Sequence, residues 1–444
     1  MLFCSGMLLL FFGPAAPAAP IDDFSPQARI LSPAPGVDMP ELSAARTAYA
    51  KGRLEEAEAQ LKFAKSKAPN LPPVRLMLAR LHFAHGKVTT GKALLEQVAI
   101  EEPDHPEVYL LFGNIALNEG RNTDAMLHFE RAMRTTPPAD WTNAQKVALA
   151  REGFTGQAAV SEKRGDWFRA QVALKQLTKI SPADADIRDR LGAALFNLGR
   201  EQEAYEQFQT AARLDPQINV PEVSMAVMKV RDRNLDEATR LFAAAARKYP
   251  TDGRVHYEAA GMYLLLDEAQ QAKRHADKAA QLGLDTQELK MRRGYIARQL
   301  GDYAEAETHF ADVLAEAPTY FEASNQLALV LAQQEGEDKK RKALELATLN
   351  ARQYPKSSLA MSTLGWVYYQ LGRNDEALRA LQVAVTLPTV QSETLYFLAR
   401  VLWDTGSKDD ARKLSERIKS TVEQPGLFVL RPEIKKWIAE TAVN

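Results

Sequence analysis

Apolar residues recur along most of this chain at the spacing of a helix, in pairs of short segments separated by a polar turn. Between residues 191 and 198, leucines follow one another at intervals of four and three, which predicts a helix with one buried face. Gly199 interrupts this helix, because glycine reaches the backbone angles that a tight turn requires. Between 204 and 211, an alanine, a phenylalanine and an alanine repeat the same intervals, and Pro216 ends the second helix. The pattern therefore predicts two amphipathic helices joined by a short turn.

This pair of helices recurs with a period of 34 residues, and eleven units can be placed between 38 and 425, with an insertion at 140–150. The marker residues are two glycines, an alanine, a large apolar residue, a small residue and a proline. They are complete in Gly113, Gly120, Ala125, Phe129, Ala132 and Pro137, and again in Gly192, Gly199, Ala204, Phe208, Ala211 and Pro216. Such a period predicts an array of small units, each of which buries its apolar face only against its neighbours.

These marker residues resemble the tetratricopeptide repeat family, and the resemblance extends over most of the chain. The unit that contains Gly365 matches the family pattern as well, with Tyr368 at the family's aromatic position. The resemblance implies an all-α fold, a right-handed α-solenoid of about eleven helix-turn-helix units whose first helices line a concave groove. The residues that depart from the pattern are Gly91 in place of an alanine, Arg233 and Asp267 in place of turn glycines, and Ala276 in place of a large apolar residue.

The two ends of the chain differ from the repeats. Residues 1–18 contain Cys4, the single cysteine, and combine an apolar run with small residues, so we interpret them as a signal peptide. No lysine or arginine precedes that run, so either the N-terminal amine suffices or the true start lies upstream. The alternatives to a signal peptide are an uncleaved anchor and a spurious or cytosolic N-terminus. Residues 19–37 are rich in proline and alanine, which predicts a flexible linker. Residues 426–444 predict a helix that caps the last unit, with a free interaction tail as the alternative.

Composition and motifs give no sign of an enzyme or of a nucleic-acid-binding protein. The 56 lysines and arginines balance 57 acidic residues, so no overall charge attracts nucleic acid. Among seven scattered histidines only His82 and His85 are close, which is too few for a zinc site. Nucleophile elbows and phosphate-binding glycine loops are missing from the sequence. We therefore predict a non-catalytic protein without cofactor or metal, and a mature chain without a transmembrane span.

The predicted groove is the better candidate for a functional site. Aromatic residues concentrate on its C-terminal part, where they predict a stacking surface for an extended peptide, a proline-rich segment or a glycan. The alternative is that these rings pack between neighbouring helices. Asparagines in the groove can bind a peptide backbone, or they form a solvated polar face. The candidate residues are Tyr295, Trp366, Tyr369, Tyr396, Trp403, Asn114, Asn118, Asn197 and Asn325, accompanied by Arg80, Arg298 and Arg400.

The sequence thus predicts a scaffold that binds protein partners through its groove. Exported bacterial members of the resembled family often serve envelope assembly or exopolysaccharide secretion, and the resemblance implies such a role in the periplasm or at the envelope. One alternative is direct carbohydrate binding by the aromatic residues. A second alternative is a recruiting arm for a transferase that is encoded separately.

Overall fold

The computed structural model describes residues 39–422 and 430–443, which form twenty-three α-helices and no strand. The predicted signal peptide, with Cys4, and the predicted linker lie outside the described residues. Two compact units divide the chain, and the boundary falls between Pro221 and Glu222. Twenty-two of the helices form eleven consecutive pairs, and the last helix stands alone after them. The prediction of an all-α solenoid of about eleven helix-turn-helix units is confirmed.

The first unit contains helices α1 to α10. Their bounds are Pro40–Ala50, Leu54–Lys67, Val74–Ala84, Val88–Glu101, Pro106–Asn118, Asn122–Arg134, Asn143–Arg164, Trp167–Ile180, Ala185–Asn197 and Glu201–Leu214. In each repeat the odd-numbered helix packs against the even-numbered helix that follows it.

The second unit contains helices α11 to α23, and α11 begins at the boundary. Their bounds are Pro221–Arg231, Leu235–Lys248, Gly253–Leu265, Ala269–Gln281, Gln287–Gln299, Tyr303–Glu316, Phe321–Ala332, Glu337–Gln353, Ser358–Gln370, Asn374–Thr386, Ser392–Asp404, Lys408–Val422 and Arg431–Val443. Within the described residues, no helix is both long enough and apolar enough to cross a membrane.

The close approach of the two helices in a repeat depends on a glycine that faces a large ring. At Gly192 an added Cβ atom would lie 2.6 Å from Cε1 of Phe208, which is closer than van der Waals contact allows. The unit that departs from the pattern at Gly91 uses the reverse arrangement. Here the ring of Phe83 on the first helix would meet a Cβ atom at Gly91 on the second, again at 2.6 Å. In this repeat the ring and the glycine have therefore exchanged helices, and the close contact between the two helices is kept.

The turns between paired helices contain a residue in the left-handed backbone region. Gly199 has a φ angle of 75°, which a glycine adopts without steric cost. Arg233 and Asp267 hold the same place with φ angles of 60° and 69°. A non-glycine residue pays about 1–2 kcal/mol for this conformation. The two repeats without a turn glycine therefore keep the turn geometry and carry local strain.

The insertion leads into a long helix, α7, which has 22 residues. A reciprocal capping box starts it: the Thr142 side chain accepts from the Gln145 amide, and the Gln145 side chain accepts from the Thr142 amide. The Gln145 side chain also donates to the carbonyl of Asn70 at 3.2 Å. Just before the cap, the ring of Trp141 is buried and meets the edge of His105, with ring centroids 5.9 Å apart. The start of α7 is therefore fixed against two loops of earlier repeats.

Candidate partner-binding face

The odd-numbered helices α11 to α21, the first helices of the repeats in the second unit, are called here the inner row. Helix α13 contacts α15, α17 contacts α19, and α19 contacts α21. Helices α15 and α17 are joined by a hydrogen bond, in which the hydroxyl of Tyr295 donates to Glu322. All five aromatic candidates from the sequence lie on this row.

Three of the five aromatic candidates are buried. Tyr295, Trp366 and Tyr396 are 5%, 2% and 0% exposed, respectively. The ring of Trp366 stacks on that of Phe397 from the next helix of the row, with centroids 4.2 Å apart and an angle of 15°. As arranged in this structure, the three rings pack between helices of the inner row, which is the alternative interpretation of their pattern. They do not form an accessible stacking surface.

Helix α23 lies over Tyr396. Trp437 is buried with its ring edge toward that tyrosine at a centroid distance of 5.5 Å, and Ile434 is fully buried beside it. The Tyr396 hydroxyl donates to the Glu433 carboxylate at 2.8 Å. Burial raises the pKa of Tyr396, and the nearby negative charge of Glu433 raises it further, so the hydroxyl keeps its proton. Helix α23 thus covers an apolar surface of α21 and makes one directed polar contact with it.

The other two aromatic candidates are partly accessible. Tyr369 is half-buried, and its hydroxyl donates to the Asp404 carboxylate. Trp403 is also half-buried, and two cations lie over its ring: the Lys408 amine at 5.0 Å and the Arg412 guanidinium at 5.5 Å from the centroid. Both distances fall within the range of cation–π attraction. A ligand that stacks on a ring face covered by one of these cations therefore has to displace it.

The asparagine candidates differ widely in their surroundings. Asn114 is buried and donates to Glu152 at 3.1 Å, whereas Asn118 is exposed. Asn197 is half-buried and donates to a backbone carbonyl of its own helix one turn earlier. Asn325 is fully buried, and neither atom of its amide has a hydrogen-bond partner among the described residues. Because such a group costs about 1–3 kcal/mol, Asn325 stands out from the other three.

The arginine candidates are paired with carboxylates within their own compact units. In the first unit, the Arg80 guanidinium donates to Glu107 at 2.7 Å, and both side chains are mostly buried. In the second unit, Arg400 lies 3.3 Å from Asp404. Their charge is therefore already balanced within the protein, which lowers its pull on an anionic ligand.

The third arginine makes a contact that the sequence did not indicate. Arg298 on α15 donates to Gln326 on α17 at 2.7 Å and to Glu393 on α21 at 2.6 Å. Sequence analysis missed Glu393, because a repeat pattern predicts contacts between neighbouring units only. It missed Gln326 and Glu433, because helical periodicity does not show which polar side chains of adjacent helices meet. The one signal in the sequence is that Gln326 ends a polar run, Ser324 to Gln326, directly before the apolar half of α17.

The described histidines show one close pair and no metal cluster. In α13 and α14, the Nδ1 atoms of His256 and His275 are 3.0 Å apart, and the His275 ring stacks on Tyr263. Burial lowers the pKa of His275 to about 4, and the positive charge of a protonated His256 acts in the same direction. No three histidine, cysteine or acidic side chains of the described residues come together as a metal site. The pair therefore shares a hydrogen bond in its neutral form.

Comparison with known proteins identifies the class of the chain. A sequence model described as "Tetratricopeptide repeat" matches residues 76–140, 291–358 and 362–421, and a second model with the same description matches 185–218. Together they cover just over half of the chain, which belongs to the tetratricopeptide repeat family. Proteins built from these repeats generally mediate protein–protein interactions.

Individual relatives match only parts of the chain. It is 31% identical over 124 residues to "Inactive TPR repeat-containing thioredoxin TTL3" of Arabidopsis thaliana, which is 26% of this chain and 18% of the relative. It is 33% identical over 94 residues to "Small glutamine-rich tetratricopeptide repeat-containing protein 2" of Mycosarcoma maydis, 21% of this chain and 27% of the relative. The chain thus spans less than a third of either relative's length.

Among solved structures, the chain is similar to one described as "Crystal structure of APC/C hetero-tetramer Cut9-Hcn1". The similarity covers 95% of this chain and 98% of that chain, at 13% identity and a TM-score of 0.41.

Proposed function

We propose that this chain is a non-catalytic scaffold that binds protein partners at an extracytoplasmic location in a bacterium, in envelope assembly or exopolysaccharide secretion. The observation that supports a binding role is the array of eleven helix pairs. Within each compact unit, consecutive helix pairs form a surface built from short repeats, in which neighbouring helices hold polar side chains in fixed positions. Export rests on the apolar N-terminal run followed by small residues.

The accessible candidates are the contacts to test, separately in each compact unit: Asn118 in the first unit, and Tyr369 and Trp403 in the second. Asn118 is exposed, and Tyr369 and Trp403 are half-buried, so each can change partner without opening the core. Substitution of Trp366 is a poor test, because its ring is part of the packing between α19 and α21. A loss of binding in a Trp366 variant would therefore report damage to the fold.

A pull-down from envelope extract with the purified wild-type chain tests the binding role. The variant Trp403→Ala removes an accessible ring, and Glu376→Gln serves as the control, because Glu376 of α20 pairs on the surface with Arg373, the residue just before that helix. We expect a partner that wild type and Glu376→Gln retain and Trp403→Ala loses, with unchanged circular dichroism. Retention of the same partner by Trp403→Ala would place binding elsewhere, and recovery of no specific partner would contradict the scaffold proposal.

Carbohydrate binding is the second candidate, and one observation bears on it. A sugar that stacks on the ring face covered by Lys408 or Arg412 competes with these internal contacts. Soluble glycans that quench tryptophan fluorescence in wild type, and not in Trp403→Ala, would favour this candidate. For the recruiting-arm alternative, the corresponding result is co-purification of the chain with a transferase.

Export has its own test. Cleavage after Ala18 predicts a mature chain that begins at Ala19. N-terminal sequencing of protein recovered from the periplasmic fraction checks this. Recovery of the full-length chain from the cytoplasm alone would contradict the proposed location.

A further inference from the structure

The contact between Arg298 and Glu393 joins helices that are three repeats apart. The two residues are separated by 95 positions, yet Nη2 of the arginine lies 2.6 Å from Oε1 of the glutamate. Their side chains are 3% and 15% exposed. In a solenoid each repeat touches its neighbours, so a direct link from α15 to α21 departs from the general architecture.

A third residue, Gln326, fixes the orientation of the arginine. Nη1 of Arg298 donates to the side-chain oxygen of Gln326 at 2.7 Å, while Nη2 serves Glu393. The planar guanidinium thus places its two terminal nitrogens on two different helices, a geometry that lysine does not reproduce. Gln326 is itself 2% exposed and also contacts Glu322, one turn earlier on α17. The arginine is therefore held at the centre of a buried polar bridge over α15, α17 and α21.

Asn325 and Trp366 are among the buried side chains of α17 to α21 whose polar atoms have no hydrogen-bond partner among the described residues. Asn325 precedes Gln326 on α17, and both atoms of its amide are unpartnered in the structure. The indole N–H of Trp366 on α19 is likewise unpartnered, and its ring stacks on Phe397, one turn after Glu393 on α21. Buried polar groups are paired in most native structures, so each of these unpaired groups requires a physical reason.

We propose that Arg298, Gln326 and Glu393 form a latch that holds α15, α17 and α21 closed around Asn325 and Trp366. In the open form the Arg298–Glu393 contact is broken, and the amide of Asn325 and the indole N–H become accessible to hydrogen-bonding groups. Asn325 offers a donor and an acceptor and Trp366 offers a donor, which suits the alternating carbonyl and amide groups of an extended polypeptide. This identification of the ligand rests on the proposed binding function, whereas the latch itself does not.

The physical chemistry of a buried ion pair gives the latch two distinct states. Removing one partner leaves the other charge buried and uncompensated. The closed form is therefore stable only while both partners are in contact. The link also spans four repeats, and its release frees α21 from α15 while the contacts between neighbouring helices persist. The latch thus controls access to the two unpartnered groups without requiring the repeats to unfold.

The variant Glu393→Gln tests the latch in the full chain, because it removes the charge and keeps the shape. Labelling with 5-fluorotryptophan gives one ¹⁹F resonance for each of the five tryptophans, and Trp366→Phe identifies the relevant signal. We expect the Trp366 signal of Glu393→Gln to shift, and to broaden when a soluble gadolinium chelate is added. Hydrogen exchange in α17 and α19 should become at least about tenfold faster.

Two further variants separate a latch from general damage. Glu376→Gln removes an ion pair of the same type from the surface of α20, and it should leave the Trp366 signal and the exchange rates unchanged. The charge exchange Arg298→Glu/Glu393→Arg restores an ion pair and should return both readouts toward wild type. A folded Glu393→Gln chain with an unshifted, unbroadened Trp366 signal and wild-type exchange would overturn the latch. Because no partner is added, this outcome leaves the proposed binding function untouched.

Discussion

The contact between Gly192 and Phe208 offers a direct test of how each repeat is held together. An alanine at 192 would place its Cβ atom 2.6, 2.7 and 3.0 Å from three carbon atoms of the Phe208 ring. The ring is 1% exposed and packed within the helix pair, so it cannot move aside into solvent. The substitution Gly192→Ala therefore forces α9 and α10 apart or moves the ring away from its preferred rotamer.

The size of the effect follows from two opposing contributions. Overpacking a filled core costs about 1–3 kcal/mol, and replacing a mid-helix glycine by alanine recovers at most about 1 kcal/mol. We therefore expect Gly192→Ala to destabilise the repeat by about 1–2 kcal/mol. Phe208→Ala alone should cost about 3–5 kcal/mol. In the double variant the clash is absent, so the alanine at 192 should become neutral or stabilising, with a coupling of about 1–3 kcal/mol.

The assay has to be local, because a repeat array does not unfold in a single step. Hydrogen exchange of α9 and α10 in the four proteins of the double-mutant cycle gives the local free energies of opening. Gly52→Ala is the matched control, because Gly52 has a φ angle of 76° and an added Cβ atom would meet nothing within 4 Å. Its cost of about 1–2 kcal/mol arises from the backbone alone. Additive effects at 192 and 208 would refute the packing scheme.

Three other substitutions or conditions test the structure. Because burial lowers the pKa of His275 to about 4, the folded state favours the neutral ring, and its stabilisation is present above pH 6.5 and is lost as the pH falls toward 4. The ring is half-buried, so we expect His275 to account for about 1–2 kcal/mol of the stability lost between pH 7.5 and pH 4.5. Hydrogen exchange of α14 in wild type and His275→Gln at both pH values should show the variant losing less by this amount. Deletion of residues 423–444 should uncover Tyr396 and cause aggregation, and a monodisperse product in light scattering would contradict the covering role of α23. Trp366→Ala should cost about 3–5 kcal/mol, whereas Asn118→Ala should change the unfolding midpoint by no more than the error of the measurement.

The fold could be predicted from the sequence because its determinants are local. The interval from Gly192 to Phe208 lies within one repeat, and the residues that fix it recur in phase along the chain. Even a departure such as Gly91 preserves the contact, because Phe83 supplies the ring from the other helix. Local patterns of this kind are sufficient to place helices, turns and the small residues at which the helices meet.

The candidate site could be predicted only in part, because exposure depends on contacts between repeats. Trp366 and Trp403 occupy the same helix row, yet one is buried against Phe397 and the other is partly accessible beside Lys408. Helical periodicity gives the direction of a side chain and does not show what the next repeat places against it. Glu393, the partner of Arg298, lies 95 positions away, and a repeat pattern of 34 residues does not predict contacts at that separation.

The capping contact at the start of α7 has a consequence for synthesis of the chain on the ribosome. Gln145 reaches back to the carbonyl of Asn70, which leaves the ribosome 75 residues earlier. The second and third repeats can form their helices as they emerge, since each buries its apolar face against the one before. The loop at Asn70, however, acquires this hydrogen bond only after the insertion has been translated. This contact of the early part of the first unit therefore forms only after a segment two repeats later in the chain has been synthesised.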